Sequence, residues 1–259
     1  MIAADIEYSQ SGQGEPVIFL HGIGGNSTSF TPQLEGIQGF TKTSWNMPGY
    51  GQSNTGEFPP TFEYLSQRLS KFITALELEK VHLVGHSIGG MLALEHTVRA
   101  SEEVSSLTLI GTTPSFGGKD ETFKTAFLEA RLAPLDEGKS KQDMAMDAAP
   151  FLVGPNASAE VITAVQKQLA TVSEKTWRGI LECLVTFNQR DALQNINLPC
   201  CVIAGSHDKN APARTMEKMA SQIANAEFHL LEGIGHMINQ EASTKTNAII
   251  SQFLRKQTS

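Results

Sequence analysis

Val81-His82-Leu83-Val84-Gly85-His86-Ser87-Ile88-Gly89-Gly90 is an apolar run that stops at a serine flanked by glycines. A short continuous apolar run of this kind reads as a strand buried on both faces, and the small residues after it read as a sharp turn into a helix. A serine at such a turn takes a strained backbone conformation, and Gly85 and Gly89 leave room where strand and helix approach closely. The hydroxyl of Ser87 then stands clear of the sheet. It becomes a nucleophile only if a base takes its proton and a third group orients that base. The chain must supply both partners elsewhere.

Upstream, Ile6-Glu7-Tyr8-Ser9 alternates and residues 11–16 are rich in turn formers, predicting an opening hairpin that leads into Val17-Ile18-Phe19-Leu20. That strand ends at His21-Gly22-Ile23-Gly24-Gly25. A short helix fits 29–34, and a strand over 41–46 is closed by Met47-Pro48-Gly49-Tyr50-Gly51-Gln52-Ser53. Phe62, Leu65, Leu69, Phe72, Ile73 and Leu76 form one apolar stripe at helical spacing. Downstream of Ser87 the helix continues through Glu95, and 107–110 is another strand. Near-continuous apolar strands alternating with helices predict the α/β class, a mostly parallel central sheet with helices on both faces.

The alternation breaks after Thr113. Residues 114–195 offer only helical stretches, near 121–132, 140–149, 157–172 and 174–187. A strand over 199–205, a helix over 212–224, a strand over 226–231 and a terminal helix over 241–255 complete the series. The expected organisation is a core domain of 1–113 and 196–259 interrupted by a helical domain of 114–195.

The 259 residues, 40% hydrophobic and 18% charged, suit one folded globular unit. With 20 basic against 27 acidic residues the net charge is −7, which disfavours nucleic acid and anionic membrane surfaces as partners. Neither a leader with a basic and then an apolar region nor a run of about 18 apolar residues is present, so a cytoplasmic location is expected. Composition carries no signal of oligomeric state. Cys183, Cys200 and Cys201 are odd in number, and the adjacent pair points to opposite faces of a strand, so buried thiols are expected and no disulfide framework. Gly22-Ile23-Gly24-Gly25-Asn26-Ser27 begins like a dinucleotide fingerprint but lacks its last glycine, and no histidine pair has zinc-ligand spacing on a helix. Neither a cofactor nor a metal is expected.

Both partners of Ser87 lie in loops that follow strands. Ser206-His207-Asp208-Lys209-Asn210 follows the strand at 199–205, and Glu232-Gly233-Ile234-Gly235-His236-Met237 follows the one at 226–231. Such loops share one edge of a parallel sheet, so Asp208 and His236 can converge on Ser87. Asp191 is the reserve acid, but it precedes its strand. His207 lacks a glycine-rich turn and His229 lies inside a strand. His21 and His86, beside glycine motifs, are expected to support the site structurally. His82 and His96 read as ordinary fold residues.

Taken in order, the His21-Gly22 loop, the 47–53 loop, Gly85-His86-Ser87-Ile88-Gly89, Gly205 to Asp208 and Gly235-His236 resemble the landmarks of the α/β-hydrolase fold family, over essentially the whole chain. Within it the helical insertion resembles the cap of small esterases, 3-oxoadipate enol-lactonases and carbon-carbon bond hydrolases. The resemblance implies a serine hydrolase for small carboxylic esters or lactones, with Ser87, His236 and Asp208 as nucleophile, base and acid. It also implies an oxyanion hole made by the backbone N–H groups of Ile23 and Ile88. Serine at the elbow separates the chain from the dehalogenases and epoxide hydrolases of this fold, which carry aspartate there. Carbon-carbon bond hydrolysis of the meta-cleavage type, thioester or perhydrolase chemistry, and a non-catalytic ligand-binding role are the alternatives. Phe116, Leu128, Met144, Met146, Phe151, Leu181 and Leu184 are candidates for the pocket wall, with Phe123, Phe127 and Trp177 as substrate contacts. Arg131 and Arg178 are the candidate pair for a substrate carboxylate.

Overall fold

The computed structural model describes residues 1–117 and 121–258. The eight strands are β1 (Ile2–Ala3), β2 (Ile6–Ser11), β3 (Glu15–Leu20), β4 (Phe40–Trp45), β5 (Val81–His86), β6 (Val104–Ile110), β7 (Cys200–Gly205) and β8 (Ala226–Leu231). They form one sheet in the order β1-β2-β4-β3-β5-β6-β7-β8, parallel from β4 to β8 and antiparallel at the β1-β2 and β2-β4 pairs. Helices α1 (Thr31–Gly36), α2 (Phe62–Ala75) and α3 (Ile88–Arg99) connect the first half of the parallel sheet. After β6 come α4 (Glu121–Asp136), α5 (Lys141–Leu152), α6 (Ala159–Thr171) and α7 (Glu174–Leu184). The series ends with α8 (Ala213–Ala220), α9 (Ile238–Glu241) and α10 (Ser243–Arg255). The expected terminal helix is thus two helices broken at Ala242. Among the described residues no helix is long and apolar enough to cross a membrane.

The apolar strands divide their side chains between two cores, as the two-residue period of a strand requires. Ile18, Leu20, Leu83, Cys200 and Val202 face a core with Leu65 and Leu69 of α2, Leu92 of α3 and Met216 of α8. Val17, Phe19, Val84, Cys201 and Ile203 face another with Ile250, Phe253 and Leu254 of α10. Each fully buried side chain of this size contributes about 1.5–3 kcal/mol. Cys200 and Cys201 therefore lie on opposite faces, and all three cysteines are free and buried.

The opening hairpin is corrected. β2 pairs with β4 through Tyr8↔Trp45 and Ser9↔Ser44, not with β3. β3 already carries a parallel neighbour on each side, β4 and β5, so it has no edge left for β2. The hairpin is instead β1-β2, turning through Ala4 (φ +47) and Asp5 (φ +61). Two successive positive φ values match the right-handed twist of paired strands across a two-residue turn.

The chain moves from β3 outward to β4 and then back across to β5. The connections leaving β3 and β5 therefore run over opposite faces of the sheet, opening a crevice at the carboxyl ends of these strands. Serines cap the helices that rise over this edge. The side chains of Ser140, Ser158 and Ser173 accept from the N–H of Asp143, Val161 and Thr176 at the starts of α5, α6 and α7.

Candidate active site

Ser87 sits between β5 and α3 at φ +55 and ψ −122. Holding a non-glycine residue in so sparsely populated a region costs about 1–3 kcal/mol and persists only when the surroundings impose it. They do. The Ser87 N–H donates to the Ile110 carbonyl at 2.9 Å, and the Ser87 carbonyl accepts from Gly90 N–H at 2.9 Å, Met91 N–H at 3.1 Å and the Thr112 hydroxyl at 2.8 Å. A side-chain carbon on Gly85 would run into the Gly89 carbonyl and Gly90 Cα, and one on Gly89 into the main chain of Leu20 and His21. Only glycine lets α3 start this close to β3 and β5.

The His236 ring lies between the other two predicted groups. Its Nε2 is 3.0 Å from Ser87 Oγ and its Nδ1 is 2.7 Å from Asp208 Oδ2. Since a carboxylate only accepts, Nδ1 carries the proton and Nε2 is left to accept from the serine. Asp208 Oδ1 accepts from the N–H of Asn210 at 2.8 Å and Ala211 at 2.9 Å. Burial on its own raises the Asp208 carboxyl. The His236 ring and these two N–H groups outweigh it, so the acid is held below the usual carboxylate range. The loop carrying His236 is pinned on several sides, three of them at or beside His236 itself. Its own N–H donates to Leu152 C=O of α5 at 2.7 Å, its carbonyl accepts from His86 Nε2 at 2.8 Å, and Gly235 N–H donates to Glu241 at 3.0 Å.

His21 is wholly buried and uses both ring nitrogens. Nδ1 donates to the Gly22 carbonyl at 2.8 Å, and Nε2 accepts from Met47 N–H at 3.0 Å. Burial drives its pKa down to about 4, so it is neutral. The Gly22 carbonyl accepts a second bond from Gly25 N–H at 2.9 Å. In a trans peptide the N–H points opposite to the carbonyl, so fixing Gly22 C=O fixes the direction of Ile23 N–H. The Tyr50 hydroxyl holds the next carbonyl, that of Ile23, at 2.7 Å. Ile88 opens α3, where the N–H has no acceptor within the helix.

Ser87, His236, Gly22 and Ile23 all border a cavity of about 1000 Å³, lined on the far side by residues of α4 to α7. Phe123, Phe127 and Trp177 lie on its wall, as do Phe116, Met144, Phe151, Leu181 and Leu184. Phe116 and Phe127 meet edge to face at 4.5 Å.

A family model described as the alpha/beta hydrolase fold matches residues 15–243. The chain belongs to that family. A thermophilic esterase from Thermogutta terrifontis, solved with malate bound, superposes on this α/β hydrolase with a TM-score of 0.88 at 20% identity, covering 98% of this chain and 94% of that one. The enol-lactonase of Burkholderia xenovorans LB400 does so with 0.86 at 18% identity, covering 96% of each. Among curated relatives, the (E)-2-((N-methylformamido)methylene)succinate hydrolase of Acinetobacter baylyi is 24% identical over 259 residues, 95% of this chain and 93% of that one.

Not every expected residue reaches the cavity of this α/β hydrolase. Leu128 packs into the core and Met146 faces outward at 52% exposure, because each lies on the other side of its helix. Arg178 is bound to Asp136 and Glu174 and is absent from the described wall, whereas Arg131 lines it. The reserve acid Asp191 is exposed in a 3-10 turn before β7. His207 is exposed and touches Ser206, and His229 pairs with Glu227 on β8. His82 bridges Ser106 and Glu15, and His96 bonds Ser66, away from the strand ends that carry Ser87.

Other residues come to the site without having been picked out from sequence. Gly111, at the end of β6 with φ +52, backs directly onto the pair: a side-chain carbon there would sit tightly at 3.2 Å from Asp208 Oδ2 and 3.3 Å from His236 Nδ1, in a backbone conformation that favours glycine. Its place directly after an apolar strand was the available signal. Leu152 acts through its carbonyl and Lys141 through its place on α5, and neither has a sequence signature. As for metals, Cys201, Glu227 and His229 bring ligand atoms within 4.8 Å of one another among the described residues. The Glu227 carboxylate is already bonded to His229 and Lys256, and burial raises the Cys201 thiol well above its usual value, which opposes metal-binding thiolate.

Proposed function

We propose that this α/β hydrolase is a serine hydrolase of small carboxylic esters or lactones, working through an acyl-enzyme. The observation that carries this reading is the continuous hydrogen-bonded line from Ser87 Oγ through His236 to Asp208, at 3.0 and 2.7 Å, opening on the cavity. His236 Nε2 takes the hydroxyl proton as Ser87 Oγ bonds to the carbonyl carbon. The imidazolium gives that proton to the leaving alkoxide as the ester C–O bond breaks. A water molecule, deprotonated by the same nitrogen, then attacks the acyl-enzyme, and its proton returns to Ser87 Oγ. Asp208, ionised at neutral pH, keeps the imidazole in the right tautomer and stabilises its cation.

The N–H groups of Ile23 and Ile88 take the oxyanion in this scheme. The double grip on the Gly22 carbonyl and the position of Ile88 at a helix start support them, and one such donor is worth about a hundred- to a thousandfold in rate. Residues 114–195 act as a cap domain on a core of 1–113 and 196–259, with Phe123, Phe127 and Trp177 against the acyl or alcohol group. No step requires a cofactor or metal. The test is hydrolysis of short-chain 4-nitrophenyl esters and labelling by a fluorophosphonate. Ser87→Ala is expected to lose both, with kcat down on the order of 10⁴-fold or more. Full activity in Ser87→Ala would sink the mechanism.

A further inference from the structure

The chain carries a formal net charge of −7, yet its cavity has the opposite sign. Among the described wall residues Arg131, Lys139, Lys141, Arg190 and Lys209 stand against one carboxylate, Asp147. Asp147 is paired with Lys139. Arg131 and Lys141 differ from the others in that each stacks on an aromatic ring, and neither has a carboxylate at ion-pair distance among the described residues; the one main-chain acceptor near the Arg131 guanidinium is the Phe127 carbonyl at 3.4 Å.

The two residues meet at Trp177, Lys141 through its cation and Arg131 through its main-chain carbonyl. Lys141 Nζ lies 3.9 Å above the Trp177 ring, and Trp177 Nε1 donates to the Arg131 carbonyl at 3.4 Å. The Arg131 guanidinium itself lies 3.5 Å above the Phe127 ring. Both side chains are half-buried. Burial pushes the Lys141 ammonium down to about 8 and lowers Arg131 as well. Glu174 acts on Lys141 through space, but its carboxylate is bound by Arg178. A ring face returns only part of the hydration that a buried cation gives up. Two such cations on a cavity wall are therefore short of a counter-charge, which an anionic ligand would supply.

Resting on the esterase reading above, we propose that Arg131 and Lys141 form a carboxylate subsite, so that the preferred substrates are half-esters or lactones of dicarboxylic acids. The planar guanidinium offers paired donors to a carboxylate and Lys141 adds a point charge. The aromatic wall packs the carbon chain between that carboxylate and the acyl carbon at Ser87. The pair differs from the one suggested by sequence, with Lys141 of α5 in place of Arg178.

The experiment compares 4-nitrophenyl hemiglutarate with 4-nitrophenyl pentanoate, which share leaving group and chain length and differ by one carboxylate. Wild type is expected to favour the hemiglutarate in kcat/KM. Arg131→Gln and Lys141→Gln should each lower the hemiglutarate-to-pentanoate ratio about tenfold, with Arg131→Lys recovering part of it. Added salt should slow wild-type turnover of the hemiglutarate more than that of the pentanoate, a readout that needs no variant. A ratio near one in wild type, or one unchanged in both variants, overturns the subsite, while Ser87-dependent turnover of the pentanoate keeps the esterase reading. Calorimetric titration with glutarate separates the reverse case. If neither ester is turned over through Ser87 but glutarate binds wild type and binding weakens about tenfold in either variant, the subsite stands and the esterase reading falls. Tighter binding of inorganic phosphate than of glutarate overturns the carboxylate assignment.

Discussion

His86 donates Nε2–H to the main-chain carbonyl of His236 at 2.8 Å, and the two rings lie 4.9 Å apart. The residue that ends β5, immediately before Ser87, thus grips the loop that brings His236 to the same serine. Ser87 and the loop of His236 are held by one residue, and His86 need not touch a substrate to matter.

His86→Ala leaves a buried carbonyl without its donor, a loss of about 1–3 kcal/mol, and frees the His236 loop. Ester hydrolysis should show kcat lowered about 10- to 100-fold, as a small misplacement of a reacting group produces, with KM little changed. His86→Gln, which keeps a donor, should recover part of kcat. A fall in stability with kcat intact would make His86 merely structural.

Two buried histidines give the fold an acid-sensitive limb. Burial first, and for His86 the His236 charge next, hold His21 down to about 4 and His86 down to about 3. In the unfolded chain both titrate near 6.5. A folded value below the unfolded one gives stability that is full above about pH 6.5 and is lost as the pH falls toward the folded value. From pH 6.5 to 5 each histidine should remove about 2 kcal/mol from the unfolding free energy. Urea titrations of wild type and His86→Gln across that range should therefore diverge, with the shallower slope in the variant. Parallel curves would show that His86 does not contribute.

Ser87 holds a backbone conformation that glycine adopts without penalty. Ser87→Gly should abolish ester hydrolysis and yet stabilise the protein by about 1 kcal/mol, after the entropy that glycine adds to the unfolded chain is deducted. Calorimetry should show a Tm raised by about 2–4 °C. Gly89→Ala tests the same turn from the other side. Its methyl group meets the main chain of Leu20 and His21, and a loss of about 3 kcal/mol is expected. An unchanged Tm in both variants would remove strain from the account of this turn.

Asp208→Asn keeps the shape of the acid but offers His236 an amide, which can favour the wrong tautomer. A kcat lowered on the order of 10⁴-fold is expected. Because wild-type Asp208 is held below the usual carboxylate range, its protonation does not limit activity in mildly acidic assays. A variant within tenfold of wild type would show that His236 works without it.

What the sequence determined by itself rests on short-range physics. The apolar runs at Val17 and Val81, the glycines around Ser87 and the loops carrying Asp208 and His236 all state their conformation within a few residues. Parallel pairing then sends every loop that follows a strand to the same edge, so Ser87, Asp208 and His236 could be gathered before any distance was known. Tertiary structure alone decided who pairs and who faces whom. β2 went to β4 because β3 has neighbours on both sides, a fact of the whole sheet. Helix α4 has no fully buried residue among those described, so no apolar stripe marked its inner face. Arg131 and Arg178 looked alike in sequence, but Asp136 and Glu174 claimed one of them, while Lys141, unremarkable in its own helix, was turned onto Trp177. Period and turn chemistry are local, whereas the face a helix shows to a cavity is set by everything packed against it.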